Sequence, residues 1–385
     1  MGLLTGALPD FPWDTLTPYG DRARAHPGGI VDLSVGTPVD PTPAVVRRAL
    51  AEAADAPGYP QTWGTPALRE AVVAWFDRRR GVPGLDPAGV LPTVGSKELV
   101  ALLPSLLGLG AGDLVAHPAA AYPTYDVGAR LAGAEPVPTD DPVALLTGPD
   151  ADRVRLVWLN SPGNPDGRVL GVPELRAVVD AARAVGARTG RPVVVASDEC
   201  YAELPWDEPW ASEGVPSVLD ERVRGDDVTG LLALYSLSKQ SNLAGYRAAF
   251  AAGDPALVAD LLATRKHLGM IVPAPVQAAM TVALADDAHV AEQRERYRAR
   301  RSVLLTALAG AGLVVDRSAA GLYLWARPAD GEDDCWATVG RLADLGILVA
   351  PGAFYGAPRH VRVALTGTDE RIAAAAARLE GVAAR

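Results

Sequence analysis

"LLALYSLSKQSNLAGYR", residues 231–247, is the stretch that decides the fold. "LLALYS" (231–236) is a strand-like run whose Leu231, Leu232, Ala233 and Leu234 read as buried, and Lys239 follows at its exit. A lysine at such an exit is poorly placed for a solvated surface charge and needs a partner. Similar apolar runs precede it: "VRLVWLN" (154–160) and "PVVVASDE" (192–199). Between those two, Leu175, Val178, Val179, Ala182 and Val185 recur at three- and four-residue steps, which predicts a helix over 172–189 with one apolar face. Strands rich in Val and Leu on both faces, joined by helices, imply an α/β domain with a mostly parallel sheet sandwiched by helices, over about 41–275. Beyond it, "VAEQRERYRARRSVLLTALAGAG" (290–312) reads as helix, and "GLYLWAR" (321–327) and "HVRVAL" (360–365) as strands. Residues 276–385, with 1–40, are therefore expected to form a smaller α+β domain.

With 385 residues, 49% of them apolar, the chain can bury a core of this size. The 36 basic and 46 acidic residues give a net charge of −10, and no basic run is long enough to track a phosphate backbone. Nucleic acid is not the expected partner; a small molecule is. Cys200 and Cys335 are the only cysteines, and the five histidines never fall at metal-ligand spacing, so no metal and a reducing, cytoplasmic setting are expected. The opening "MGLLTGALPDFPW" (1–13) lacks a basic region and is broken by Pro9 and Asp10, while the longest apolar stretch, 99–112, is interrupted by Pro104 and Ser105. Neither export nor a membrane span is expected.

In parallel sheets ligands bind beyond the carboxyl ends of the strands, which points to "NSPGNPDG" (160–167), "SDECY" (197–201) and "SLSK" (236–239). A desolvated lysine near other cations loses its proton readily, and the neutral amine of Lys239 could attack an aldehyde to form a Schiff base. A snorkelling lysine is the plain alternative. Ser236 and Ser238 add hydroxyls, and Arg247 adds a planar fork suited to a phosphate. A cofactor carrying both an aldehyde and a phosphate would use all of them. In "TVGSKE" (93–98), Gly95 allows close approach of the backbone, and the amides of Ser96 and Lys97 at a helix start can point at an anion; an ordinary capped helix would look the same. "GLGAGD" (108–113) follows a helix and precedes a strand, the reverse of a dinucleotide turn, and reads as a loop.

Asp198 ends "VVVAS", where a charge needs a partner. A protonated pyridine nitrogen would serve and would keep that ring an electron sink; a turn or capping aspartate is the alternative. Tyr201 can aim its hydroxyl at the same ring. Asn164, presented by a turn of Pro162, Gly163 and Pro165, could donate to a ring oxygen or a substrate carboxylate. Arg362 alternates with Val361 and Val363, either as an outward arginine on an edge strand or as a bidentate clamp for a carboxylate.

Together these motifs resemble the class I/II aminotransferases, pyridoxal 5'-phosphate enzymes of fold type I. The similarity runs almost end to end, from "LSVGTPVDPTP" (33–43) and "GYPQTWGTPALREAV" (58–72) to "VRVAL" (361–365). The resemblance implies that Lys239 bonds the cofactor as a Schiff base and shuttles protons, that Asp198 pairs with the ring nitrogen, and that Tyr201 and Asn164 bond the ring oxygen. Gly95, Ser96, Lys97, Ser236 and Arg247 would hold the phosphate. Tyr122 in "AAAYPTY" would stack on the ring, with Tyr125 as a competing aromatic. Arg362 would bind the α-carboxylate of the amino acid or 2-oxo acid, beside Gly36. Tyr59 would reach the phosphate of a neighbouring subunit, implying a homodimer with shared active sites. Asp166 stands where the family often has threonine.

Within the family, "PGYPQTWGTPALREAV" (57–72), "PTVGSKELVALLPSLLGLGAGD" (92–113) and "HPAAAYPTYDVGARLAGA" (117–134) look most like the actinobacterial succinyldiaminopimelate transaminases. That implies N-succinyl-LL-2,6-diaminopimelate:2-oxoglutarate amino transfer in diaminopimelate and lysine biosynthesis. An aminotransferase of aspartate, alanine or aromatic specificity, a pyridoxal-phosphate C–S lyase and a catalytically inactive regulatory homologue are the alternatives.

Overall fold

The strand read at 231–236 is a central member of a seven-stranded sheet in the computed structural model, which describes residues 8–9, 12–330 and 333–383. The opening segment read for a leader falls largely outside the described residues. In chain order the strands are β1 (Val31–Asp32), β2 (Val90–Val94), β3 (Leu114–His117), β4 (Glu135–Pro138), β5 (Val154–Asn160), β6 (Val194–Asp198), β7 (Leu231–Ser236), β8 (Ala248–Gly253), β9 (Leu313–Val315), β10 (Tyr323–Pro328), β11 (Ile347–Leu348), β12 (Ala350–Pro351) and β13 (Val361–Ala364). The large sheet runs β2-β8-β7-β6-β5-β3-β4. Its strands from β4 across to β7 pair in parallel, and β8 runs antiparallel to both β7 and β2.

Every residue of β5 and β7 is buried because each face of the sheet has its own helical layer. Val157, Leu159, Ala233 and Tyr235 join one core with the helices Pro66–Arg80, Val172–Thr189 and Ala274–Ala285. Leu156, Trp158, Leu232 and Leu234 join the other, with the helices Ser96–Leu106, Thr124–Ala132 and Pro255–Leu268. The five residues of the stripe read in 172–189 are the buried ones of that helix.

A third core lies around the four-stranded sheet β12-β13-β10-β9, with the helices Asp287–Gly310, Cys335–Asp344 and Asp369–Ala383. The N-terminal segment is tied to it through β1, which pairs in parallel with β11, and through Leu33, whose carbonyl accepts the Ala364 amide at 2.9 Å. Residue 276, where the smaller domain is expected to resume, lies inside the helix Ala274–Ala285, whose Ala279, Met280, Ala283 and Leu284 pack in the core of the large sheet. Arg362 is no outward edge residue: β13 lies between β12 and β10, and the side chain is buried. Among the described residues no helix is long and apolar enough to cross a membrane, and no cluster of three or more His, Cys, Asp or Glu could hold a metal ion. Both cysteines are buried and unpaired as disulfides.

One ion pair inside this frame bears on stability. Arg80, closing the helix Pro66–Arg80, meets Glu199 at 2.9 Å with both side chains at most 2% exposed. Glu199 also accepts from the Ser217 hydroxyl at 3.0 Å and the Val218 amide at 2.8 Å. Removing one partner strands a buried charge, so Glu199→Ala is expected to cost about 3–5 kcal/mol. A lowered denaturant midpoint at unchanged slope is the reading that checks it.

Candidate active site

β5, β6 and β7 end side by side, with Asn160 in register with Asp198 and Asp198 with Leu234, so the polar turns after them open into one cleft. The cleft has a volume of about 480 Å³. Gly36, Ser96, Lys97, Tyr122, Asn164, Asp198, Tyr201, Ser236, Lys239, Arg247 and Arg362 all line it.

Lys239 is placed by the end of β7. The Ser236 hydroxyl accepts the Ser238 amide at 3.2 Å and so caps the one-turn helix Leu237–Gln240 that carries the lysine into the cleft. Its Nζ donates to the Gly36 carbonyl. Burial lowers the Lys239 pKa; Arg362 and Arg247 push the same way, while Tyr323 and Cys200 oppose them. The amine is therefore readier to lose its proton than a surface lysine.

Asp198 sits at the last position of β6. Its Oδ2 accepts the Tyr125 hydroxyl at 2.9 Å and its Oδ1 the Cys200 amide at 3.2 Å. Burial pushes its carboxyl up, and the groups that hold it down are Cys200 and Tyr125, neither of them a cation. A buried carboxylate facing a cleft with neutral donors behind it fits a protonated ring nitrogen in front. The same bond separates the two tyrosines. The Tyr125 hydroxyl is committed to Asp198 and its ring packs against His117 and Trp158, whereas Tyr122 stands on the cleft wall with its hydroxyl 3.1 Å from Lys97 Nζ.

One end of the cleft is cationic and rich in donors. Gly95 has φ +75°, and a Cβ there would fall inside the Arg247 guanidinium, so only glycine leaves that side chain its place. The Gly95 amide donates to the Arg247 carbonyl at 2.8 Å, and Arg247 Nη1 donates to the Ala244 carbonyl at 2.9 Å. Ser96 starts the helix Ser96–Leu106 without a side-chain cap, which leaves first-turn amides for an anion. With the Ser236 hydroxyl, 2.7 Å from that of Ser238, this end fits a phosphate.

At the other end Arg362 is held by its surroundings. Nη1 donates to Asn164 Oδ1 at 2.9 Å and Nη2 to the Ser34 carbonyl at 2.8 Å. The guanidinium carbon lies 4.0 Å from the Tyr323 ring centre and 4.8 Å from that of Tyr355, an aromatic sandwich suited to a planar cation. Gly36 is confined there as well, since a Cβ would collide with the Tyr323 hydroxyl. That hydroxyl is 3.3 Å from the Tyr201 hydroxyl. Burial pushes Tyr201 well up; it acts on Tyr323 too, but Arg362 and Lys239 outweigh it there and hold Tyr323 below the ordinary phenol value.

Sequence reasoning missed Asn160, Tyr323 and Tyr355. The Asn160 amide group donates to the carbonyls of Pro162 at 3.1 Å and Asp198 at 3.0 Å, and its Oδ1 accepts the Asn164 amide at 2.8 Å, which sets the turn bearing Asn164. A polar residue closing an apolar strand was the available signal for Asn160; Tyr323 and Tyr355 look like core aromatics in sequence. Tyr59 is fully exposed and is not among the residues lining the cleft.

The comparisons with known proteins agree with this geometry. The family profile described as aminotransferase class I and II matches residues 29–379. The chain is 59% identical over 374 residues to the 4-dedimethylamino-4-oxo-anhydrotetracycline transaminase OxyQ of Streptomyces rimosus, covering 97% of this chain and 99% of that protein. It is 57% identical over 380 residues to the probable aminotransferase Rv1178 of Mycobacterium tuberculosis, covering 98% and 87%. Among solved structures, the N-succinyldiaminopimelate aminotransferase from Mycobacterium tuberculosis superposes with a TM-score of 0.83 at 28% identity, covering 99% of each chain.

Gly95→Ala should displace Arg247 both by collision and by the positive φ. The expected result is cofactor binding weakened about tenfold or more with the fold retained. A pyridoxal 5'-phosphate titration beside a far-ultraviolet circular dichroism spectrum checks it.

Proposed function

The chain belongs to the aminotransferase class I and II family of fold type I, whose cofactor is pyridoxal 5'-phosphate, and from that premise we propose a substrate pair and a role for each residue in the cleft. The donor is glutamate and the acceptor the keto acid of N-succinyl-LL-2,6-diaminopimelate. When bound, the cofactor supplies an aldehyde that receives the amino group and a ring that holds the electron pair freed at the substrate α-carbon.

Lys239 would hold and move the proton of the substrate α-carbon as general base and acid, a role its lowered pKa favours. Asp198 keeps the ring nitrogen protonated. Tyr201 and Asn164 meet the ring oxygen, and Tyr122 covers the ring. Ser96, Lys97, Ser236 and Arg247, with Gly95 making room, hold the phosphate. Arg362 takes the α-carboxylate, its fork already aimed by Asn164 and the Ser34 carbonyl. Gly36 lines the same pocket. The observation that carries this reading is the convergence of Lys239, Asp198, Arg247 and Arg362 on one cleft. The exposure of Tyr59, with Trp63, Val35 and Val39 also exposed, supports a homodimer in which Tyr59 reaches the phosphate in the neighbouring subunit. The free buried cysteines suit a cytoplasmic enzyme.

Support for the acceptor comes from the solved N-succinyldiaminopimelate aminotransferase and from LL-diaminopimelate aminotransferases such as that of Nitratidesulfovibrio vulgaris, 33% identical over 391 residues. A second reading, a bulky cyclic ketone as acceptor, is favoured by the identity to OxyQ and by Trp13 on the cleft wall, packed on Phe354 at 5.1 Å and near Tyr122 at 6.1 Å.

A panel of acceptors with glutamate as donor separates these readings. N-succinyl-2-amino-6-oxopimelate should turn over fastest. If oxaloacetate, pyruvate or a polycyclic ketone outruns it by a wide margin, the acceptor is wrong while amino transfer stands; ammonia release without any acceptor would mean a lyase. Lys239→Ala should abolish turnover and the absorbance band of the lysine Schiff base while leaving the cofactor bound through its phosphate. Arg362→Lys keeps the charge but loses the fork, so KM should rise about tenfold or more for every substrate together.

A further inference from the structure

Behind Asp198 lies a layer that the motifs do not reveal. Tyr125, in the first turn of the helix Thr124–Ala132, is buried and donates to Asp198 Oδ2 at 2.9 Å. Its ring is packed by His117, at 6.4 Å and 20° between planes, and by Trp158 at 5.3 Å. Those two residues belong to β3 and β5, so the sheet itself steadies the phenol that faces the end of β6. We propose that Tyr125 is a positioning residue for the cofactor: by holding Oδ2 it fixes the orientation and the charge of the Asp198 carboxylate at the ring nitrogen. The proposal rests on Asp198 being that nitrogen's partner.

The choice of donor matters here. A buried carboxylate tends to take up a proton, and a neutral Asp198 would not keep a pyridine nitrogen protonated. Burial raises Asp198, and the bonds from Cys200 and Tyr125 draw it back down. Tyr125 is itself pushed well up by burial and by the carboxylate beside it, so it stays a donor throughout the working pH range. The other titratable groups facing this pair are Cys200, likewise pushed up by burial, Tyr122, Tyr201, Lys239 and His117. His117 touches the Tyr125 ring with its Nδ1 taken by the Pro118 carbonyl at 2.9 Å, and burial holds it below the ordinary imidazole value. The imidazole is thus kept one layer away from the carboxylate, and a phenol stands where a titrating donor would have made the cofactor sensitive to pH.

The test compares the holoenzymes of the wild type, Tyr125→Phe, Tyr125→His and Asp198→Ala. The readings are the pyridoxal 5'-phosphate dissociation constant and the visible absorbance of the bound cofactor across about pH 5.5–9. Tyr125→Phe should bind the cofactor about tenfold or more weaker, and the pH midpoint of its spectral change should move away from that of the wild type. Tyr125→His restores a donor but imports a titration, so binding should recover and a further inflection, absent from the wild type, should appear at about pH 6.5. If Tyr125→Phe matches the wild type in both readings while Asp198→Ala loses both, the proposal is overturned and the role of Asp198 stands. If Asp198→Ala also matches the wild type, the role of Asp198 falls with it. Should Tyr125→Phe fail to fold, Tyr125→His decides alone, and a pH profile identical to that of the wild type, with no further inflection, overturns the proposal.

Discussion

A negative charge at the end of a buried strand is the constraint around which this end of the molecule is arranged. The residues preceding Asp198 in β6 lie among aliphatic side chains, and a carboxylate there is tolerated only if its oxygens are met. Tyr125 and the Cys200 amide meet them from behind, Asn160 ties the Asp198 carbonyl to the turn that bears Asn164, and the cleft lies in front. Because β5, β6 and β7 are locked in register, fixing Asp198 also fixes Asn164 on one side and Lys239 on the other.

Much of this was legible in the sequence because local chemistry forced it. The apolar runs at 154–160 and 231–236 are strands with those bounds, and the stripe in 172–189 is a helix, since their periodicities leave little choice. Lys239, Asp198 and Arg247 stood out as charges at the ends of apolar strands or just beyond them. Tyr125 and Tyr323 did not, because an aromatic in a hydrophobic pattern looks the same whether its hydroxyl is idle or committed; only the fold brings Tyr125 to Asp198 and Tyr323 to Arg362. Proline at the first turn of a helix is a start signal, and Ala274–Ala285 begins at such a proline, Pro275. For Arg362 the alternation was right, but a four-residue strand does not state whether it lies at the edge or the centre of its sheet.

The cleft has two chemically different ends. One is built from backbone at Gly95 and from Arg247, and the other is a guanidinium clamped between Tyr323 and Tyr355. The Arg362 end cannot move without breaking contacts in the core. Trp13 belongs to the N-terminal segment and meets the rings of Tyr122, Phe354 and Tyr355 at separations of 5.1 to 6.4 Å.

Residues 34 to 36 bridge the two halves of the site: the Ser34 carbonyl accepts from Arg362 and the Gly36 carbonyl from Lys239. Position 36 has no room for any side chain, because the Tyr323 hydroxyl already occupies the space. A lineage built on this scaffold therefore has little freedom to vary its substrate at the floor of the cleft. New specificities would have to arise elsewhere on the cleft lining, for instance by exchange of residues around Trp13, while this short segment stays as it is.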